Sequence, residues 1–196
     1  MNIAVTIDRA SAKEEMARCA LELFREKGYK QTTISEVARS AGFHVQTFYR
    51  HFSSKEDLIA EIWRQSYEEF RSRFEGRGNQ SAVEAWRAYI KDTAKRVVTN
   101  SHAWGLDDQS SIPVLTAECQ MYQDQYRLLL TEGIAQELNV NAQNNLRPML
   151  IACALFDGNA MAARQWVGRK MNKKTYIASL LKVVDETKAL FDELTT

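Results

Sequence analysis

Proline is almost missing from this chain, with two among 196 residues, and since proline breaks helix interiors, long uninterrupted helices are permitted nearly everywhere. Glycine is sparse as well, at eight. The three cysteines, Cys19, Cys119 and Cys153, are odd in number, far apart and without CxxC or Cys/His ligand spacing, which argues against a disulfide framework or a metal site. They read instead as small apolar core residues in a reducing cytoplasm. No run of about eighteen apolar residues occurs, and the apolar stretch in the first ten residues is short and interrupted by Asp8. A soluble, intracellular protein with no membrane partner is expected.

Charge of one sign is lacking too. The formal net charge is +1, and residues 1–58 hold nine Lys/Arg against eight Asp/Glu, so gross charge neither requires nor excludes a nucleic-acid partner. No GxSxG, phosphate loop, HExxH or carboxylate constellation stands out, and His102 alone is an ordinary surface residue. No enzymatic activity, metal or cofactor is expected. Alternating apolar and polar residues, the signature of half-buried strands, are also absent, as are repeats and low-complexity tracts.

What remains is helical periodicity. Met16, Ala20, Leu23 and Phe24 form one stripe that ends at Gly28, a natural C-cap. Ser11-x-x-Glu14, Thr33-x-x-Glu36, Ser53-x-x-Glu56 and Ser81-x-x-Glu84 all have the form of a capping box. The spacing predicts a long helix from Ser53 to Gly76, another from Ser81 to about Asn100, a polar irregular segment 101–111, and helical pattern from Pro113 to about Leu138 that divides near 117–120. Two final helices are expected over 146–168 and 173–194. The fold class is all-α, with about nine helices, and a chain of this size buries about 70% of its unfolded surface.

The stretch from Thr32 to Leu58 carries the function. It holds a short helix pattern (33–41), a break at Gly42, a second short pattern (45–51) and a restart at Ser53, the layout of a helix-turn-helix that seats one helix in a DNA major groove. Between Val37 and Lys55 there is no Asp or Glu, while Arg39, His44, Arg50, His51 and Lys55 are present. Phe43, Phe48 and Phe52 supply the apolar area that such short helices need for stability; Phe48 and Phe52 are expected in the core.

At these residues the chain resembles the tetracycline-repressor (TetR) family of bacterial transcription regulators. The resemblance is carried by Thr33-Ile34-Ser35-Glu36-Val37-Ala38, the turn Ala41-Gly42, Thr47-Phe48-Tyr49-Arg50-His51-Phe52 and Ser54-Lys55-Glu56-Asp57-Leu58, with Phe24 to Gly28 upstream. It covers roughly the first third of the chain. It departs from the family pattern at His44, Val45 and Gln46, so phosphate contacts and operator sequence do not carry over there. The resemblance implies a three-helix helix-turn-helix head, placed at residues 1–55, and a helical effector-binding and dimerisation body at 56–196.

Candidate DNA contacts are Thr33, His44, Val45, Gln46, Thr47, Tyr49, His51 and Lys55. Gln46 suits the N6 and N7 edge of adenine, and Val45 and Thr47 a thymine methyl. Tyr49, His51, Lys55 and Thr33 suit the phosphate backbone. Aromatic and sulfur side chains at helical spacing, Trp63, Tyr67, Phe70, Trp86, Tyr89, Trp104, Met121, Tyr122, Tyr126 and Phe156, are candidates to line an effector pocket, with Glu118, Gln123 and Asn159 as polar partners; packing alone is the plainer reading of each. The effector would be small and largely apolar or aromatic.

The last two helices carry apolar surface too broad for one neighbour, and Met149, Cys153, Ala160, Trp166, Ile177, Leu181, Val184 and Phe191 are expected at a homodimer interface. The resulting expectation is a ligand-responsive regulator, in all expectation a repressor, whose homodimer grips a palindromic double-stranded operator until a small molecule releases it. The alternative is a small-molecule sensor that holds DNA weakly and nonspecifically.

Overall fold

The computed structural model describes residues 9–99, 117–166 and 172–193. Among them run eight helices and no strand: α1 (Arg9–Lys27), α2 (Ile34–Ser40), α3 (Val45–His51), α4 (Lys55–Glu75), α5 (Ala82–Thr99), α6 (Ala117–Glu137), α7 (Arg147–Arg164) and α8 (Lys173–Glu193). The expected short helical piece near 111–116 and the polar segment 101–111 lie outside the described residues.

Side-chain caps set several of these starts. Thr33 Oγ1 accepts from the Glu36 N–H at 3.3 Å, and the Glu36 carboxylate accepts from the Thr33 N–H at 2.9 Å, which completes a capping box before α2. Ser81 and Glu84 do the same before α5. At the third pattern the N-cap lies one residue later than the sequence indicates. Ser54, not Ser53, is the N-cap of α4, accepting from the Asp57 N–H at 3.3 Å, while Asp57 accepts from the Ser53 N–H at 2.7 Å. Glu56 is occupied elsewhere, accepting from the Tyr29 hydroxyl. The fourth pattern falls inside a helix and not at its start, since α1 begins at Arg9, two residues ahead of Ser11.

The chain reverses between α2 and α3 through Gly42, whose φ of +76° is a conformation that L side chains rarely adopt. The Phe43 N–H returns to the Ala38 carbonyl at 2.8 Å. This fixes α3 across α2 and lets both press on α1. The resulting cluster consists of Met16 and Ala20 from α1, Val37 and Ala38 from α2, Phe48 from α3, Phe52, and Leu58 from the first turn of α4. Phe48 is fully buried, and truncating such a side chain to Ala costs about 3–5 kcal/mol; Phe48 and Phe52 pack as the sequence indicates.

A second, larger cluster joins Tyr67, Phe70 and Phe74 of α4 to Trp86 and Tyr89 of α5, Tyr126, Leu130 and Ile134 of α6, Leu155 and Phe156 of α7, and Val184 of α8. The Phe70 and Tyr126 rings stack at 5.2 Å, and the Trp86 ring meets Phe70 edge-on at the same separation. A smaller cluster, Ala94, Val97, Val98, Tyr176 and Leu180, closes α5 against α8.

Helix α4 therefore has a foot in each of the first two clusters. Leu58 and Tyr67 are separated by roughly 13 Å along one helix axis. Between them sits Glu61, 3% exposed, with Arg64 at 2.6 Å and Lys13 of α1 at 3.3 Å. Burial raises the Glu61 pKa, but hydrogen bonds from Arg64 and Gln65 and the charges of Arg64 and Lys13 outweigh it and hold the carboxyl below its ordinary value. This ion cluster fastens α1 to α4 just where α4 leaves the smaller core.

Candidate functional site

Burying Phe48 turns the opposite side of α3 outward. Gln46, Tyr49 and Arg50 are exposed, Tyr49 by 58%, and so is His44 just before the helix. His44 is the N-cap in extended backbone geometry and makes no side-chain cap, so the first-turn N–H groups have no side-chain partner there. No acidic residue lies in that turn. Val45 and Thr47 are half-buried, Val45 leaning on the small core. His51 is half-buried too. Thr33 is exposed, but its hydroxyl is engaged with Glu36 at 2.7 Å.

Lys55 sits differently from a free phosphate contact. Its Nζ donates to the carbonyls of Tyr29 at 2.8 Å and Thr32 at 3.0 Å and lies 4.1 Å from the centre of the Tyr29 ring. Burial lowers its pKa, with Glu56 acting in the opposite sense. Two of the three ammonium donors are thus spent holding the loop between α1 and α2, an employment that sequence spacing does not reveal.

Farther along α4, a cavity of about 340 Å³ opens between α4, α5, α6, α7 and α8. Five of the expected pocket residues border it: Trp63, Trp86, Tyr89, Tyr126 and Phe156, with Asn159 as expected polar partner. Phe70 is sealed in the core, the Tyr67 and Tyr122 rings meet at a 39° tilt with centroids 6.2 Å apart, and Met121 is exposed; none of these borders the cavity. Trp104 lies outside the described residues. Glu118 is exposed and Gln123 half-buried, neither at the cavity.

The residues missed by sequence reasoning are mostly the short ones, Ser66, Thr93, Ala94 and Ala163, together with Tyr176 and Leu180 of α8. Space opens where side chains are small, so a search for aromatics finds the walls but not the void. No charged side chain is among the described residues bordering it. The polar groups include Ser66, Tyr89 and Tyr126, whose hydroxyls lie within 2.8–2.9 Å of one another; Asn159, which accepts from Trp86 Nε1 at 2.8 Å and donates to the Leu180 carbonyl at 2.7 Å; Thr93, whose hydroxyl accepts from Arg96 at 3.2 Å; and Tyr176. Burial, and next the neighbouring Tyr89, push the Tyr126 phenol far above its ordinary pKa.

The residues expected at a subunit interface divide. Met149 is exposed, and Cys153, Ile177, Leu181 and Phe191 are half-buried. Val184 is fully buried in the larger core and faces no partner, because the α8 face that includes it turns toward α5 and α7. Ala160 borders the cavity. The Trp166 Nε1 donates to Ser179 Oγ at 3.0 Å, tying α7 to α8 within the chain. Further outward apolar side chains are Leu146 at the N-cap of α7, Leu150 and Met161 on α7, and Leu190 on α8.

No group of three or more His, Cys, Asp or Glu that could hold a metal occurs among the described residues, and none of their helices is long and apolar enough to cross a membrane. A helix-turn-helix on a small three-helix core, continued by a shared helix into an all-helical body with an internal cavity, defines a DNA-binding regulator of transcription. Residues 18–62 match the family described as bacterial regulatory proteins, tetR family. The N-terminal domain is thus that of a TetR-family transcriptional regulator.

It is similar to the HTH-type transcriptional regulator TcmR of Streptomyces glaucescens, 26% identical over 164 residues that span 79% of this chain and 72% of that protein. To the HTH-type transcriptional repressor KstR2 of Mycolicibacterium smegmatis it is 38% identical over 55 residues, 28% of this chain and 27% of that protein. Its fold is that of the transcriptional regulator FadR from Bacillus subtilis, solved in complex with stearoyl-CoA, with a TM-score of 0.57 at 21% identity over 87% of this chain and 96% of that one.

Proposed function

We propose that the protein is a ligand-responsive repressor that binds a palindromic operator as a homodimer in the cytoplasm and is released by a small, largely apolar or aromatic molecule held in the cavity. The observation that carries this reading is the double membership of α4: Leu58 belongs to the core beneath the groove-facing α3, and Trp63 and Ser66, two turns on, border the cavity. A molecule that alters the packing around Trp63 acts on the same rod that carries the head.

Two copies of α3 would enter successive major grooves about 34–36 Å apart. Gln46 reads base edges, with Val45 and Thr47 beside it and His44, Tyr49, His51, Thr33 and the remaining Lys55 donor toward phosphates. The head comprises residues 1–55 and the effector and dimerisation body 56–196. Release requires the effector to bind the pivoted body more tightly than the operator-binding one, by about 5.5 kcal/mol for a complete reversal. That FadR, with this fold, was solved in complex with stearoyl-CoA supports a ligand in the body.

A gel-shift assay on the DNA flanking the protein's own gene, across rising salt and a panel of small molecules, tests the proposal. Sequence-selective retention lost on adding one molecule supports it. Ligand binding accompanied only by salt-labile, nonspecific retention would make the protein a sensor module instead.

A further inference from the structure

The polar groups around the cavity define the chemistry of its guest, an inference that rests on reading the cavity as the effector site. Ser66, Tyr89 and Tyr126 come from three different helices, and their oxygens form a closed triangle with sides of 2.8–2.9 Å. One circuit satisfies all three sides at once: Tyr126 donates to Ser66 Oγ, Ser66 to Tyr89, and Tyr89 to Tyr126, with the Ser66 carbonyl a second acceptor for Tyr89 at 3.2 Å. In that circuit every hydroxyl proton is spent inside the cluster, and only lone pairs remain for a guest. This pole of the cavity accepts hydrogen bonds.

Tyr176 of α8 borders the same cavity and is 7% exposed. Its ring packs edge-on against Trp166, yet its hydroxyl makes no hydrogen bond to any described residue, and burial alone raises its pKa. A buried hydroxyl with no partner among the described residues calls for an explanation, since leaving one unpaired is costly. Tyr176 clusters with Ala94, Val97 and Val98 of α5, which lie five to nine residues beyond Tyr89. The two poles are therefore separated by roughly 8–13 Å along that helix, with apolar wall between them.

We propose that the effector is an uncharged, elongated, mostly apolar molecule with an oxygen function at each end: a hydroxyl that donates into the Ser66–Tyr89–Tyr126 triangle, and a second oxygen that pairs with the Tyr176 hydroxyl. The lack of any described cationic side chain at the cavity disfavours carboxylates and phosphates, which would be desolvated there without a counter-charge. The triangle also binds α4 to α5 and α6, so a guest hydroxyl that engages it acts directly on the helix bearing the head.

Calorimetric titration of the full-length protein with naphthalene-2,6-diol, naphthalene and naphthalene-2,6-dicarboxylate tests this assignment. The diol is expected to bind tightest. Tyr176→Phe should weaken the diol roughly three- to tenfold, the loss of one neutral hydrogen bond, and leave naphthalene unchanged, which also verifies that the cavity survives. Ser66→Ala applies the same comparison to the other pole. Equal diol affinity in wild type and both variants, or tightest binding by the dicarboxylate, overturns the chemical class while the effector cavity stands. Failure of all three compounds to bind overturns both.

Discussion

Lys55, the first residue of α4, closes the loop between α1 and α2 by donating to the carbonyls of Tyr29 and Thr32 while its ammonium lies 4.1 Å from the Tyr29 ring centre. Tyr29 answers from the other side, its hydroxyl donating to Glu56 at 2.7 Å. Lys55 thus secures the head before it meets any DNA. Lys55→Ala should lower the melting temperature, with a loss of about 1–3 kcal/mol for charge-assisted bonds to buried carbonyls, alongside a loss of DNA affinity that is similar for all sequences. Thermal denaturation without DNA separates the two effects: an unchanged melting temperature would leave phosphate contact as the whole role of Lys55.

Gln46 is exposed on the first turn of α3. Gln46→Ala should relax selectivity at a single base step, by about 1–3 kcal/mol, and leave fold stability unaltered. Affinities measured across single-base variants of the operator check this, and equal losses at every variant would count against base reading by Gln46.

Acid should loosen the head through Glu36. A contact with the Lys27 ammonium, then hydrogen bonds from the Thr33 backbone and hydroxyl, hold its carboxyl at about 2 against an ordinary 4.5. Because the folded value is the lower one, the stabilisation is fully present above about pH 4.5 and is lost as pH falls toward 2. Circular-dichroism melts between pH 2 and 6 should show a decline that is shallower in Glu36→Gln, whose melting temperature at neutral pH is lower from the outset.

Leu146, Leu150 and Met161 expose apolar surface along α7, and the proposed dimer would cover it. Leu150→Arg should yield monomers in sedimentation velocity with helicity intact, since a side chain exposed in the single chain costs little folding energy to replace. A dimer that persists unchanged would place the interface elsewhere.

The head was legible in sequence because its determinants are local: a capping box at Thr33 and Glu36, a left-handed glycine at position 42, and Phe48 at helical spacing from Phe52. Even there, adjacent serines made the start of α4 ambiguous by one residue, and Asp57 rather than Glu56 settles it. In the body, partners are far apart in sequence, and periodicity does not say which of two apolar faces meets its own chain. Val184 and Met149 look alike in sequence, yet one is sealed in the core and the other exposed. The cavity was half legible, since its aromatic walls have a compositional signature and its alanine and serine gaps have none.

The central claim, that cavity occupancy acts through α4 on the distance between two heads, is tested most directly by electron–electron resonance between nitroxides placed at Ser35→Cys in both copies, in a Cys153→Ser background. On operator DNA the distances should form one narrow distribution, set by recognition helices about 34–36 Å apart. Adding the molecule that releases DNA in the gel-shift assay should move and broaden it. The absence of any inter-label distance, or a distribution that stays fixed while DNA is released, would contradict the account.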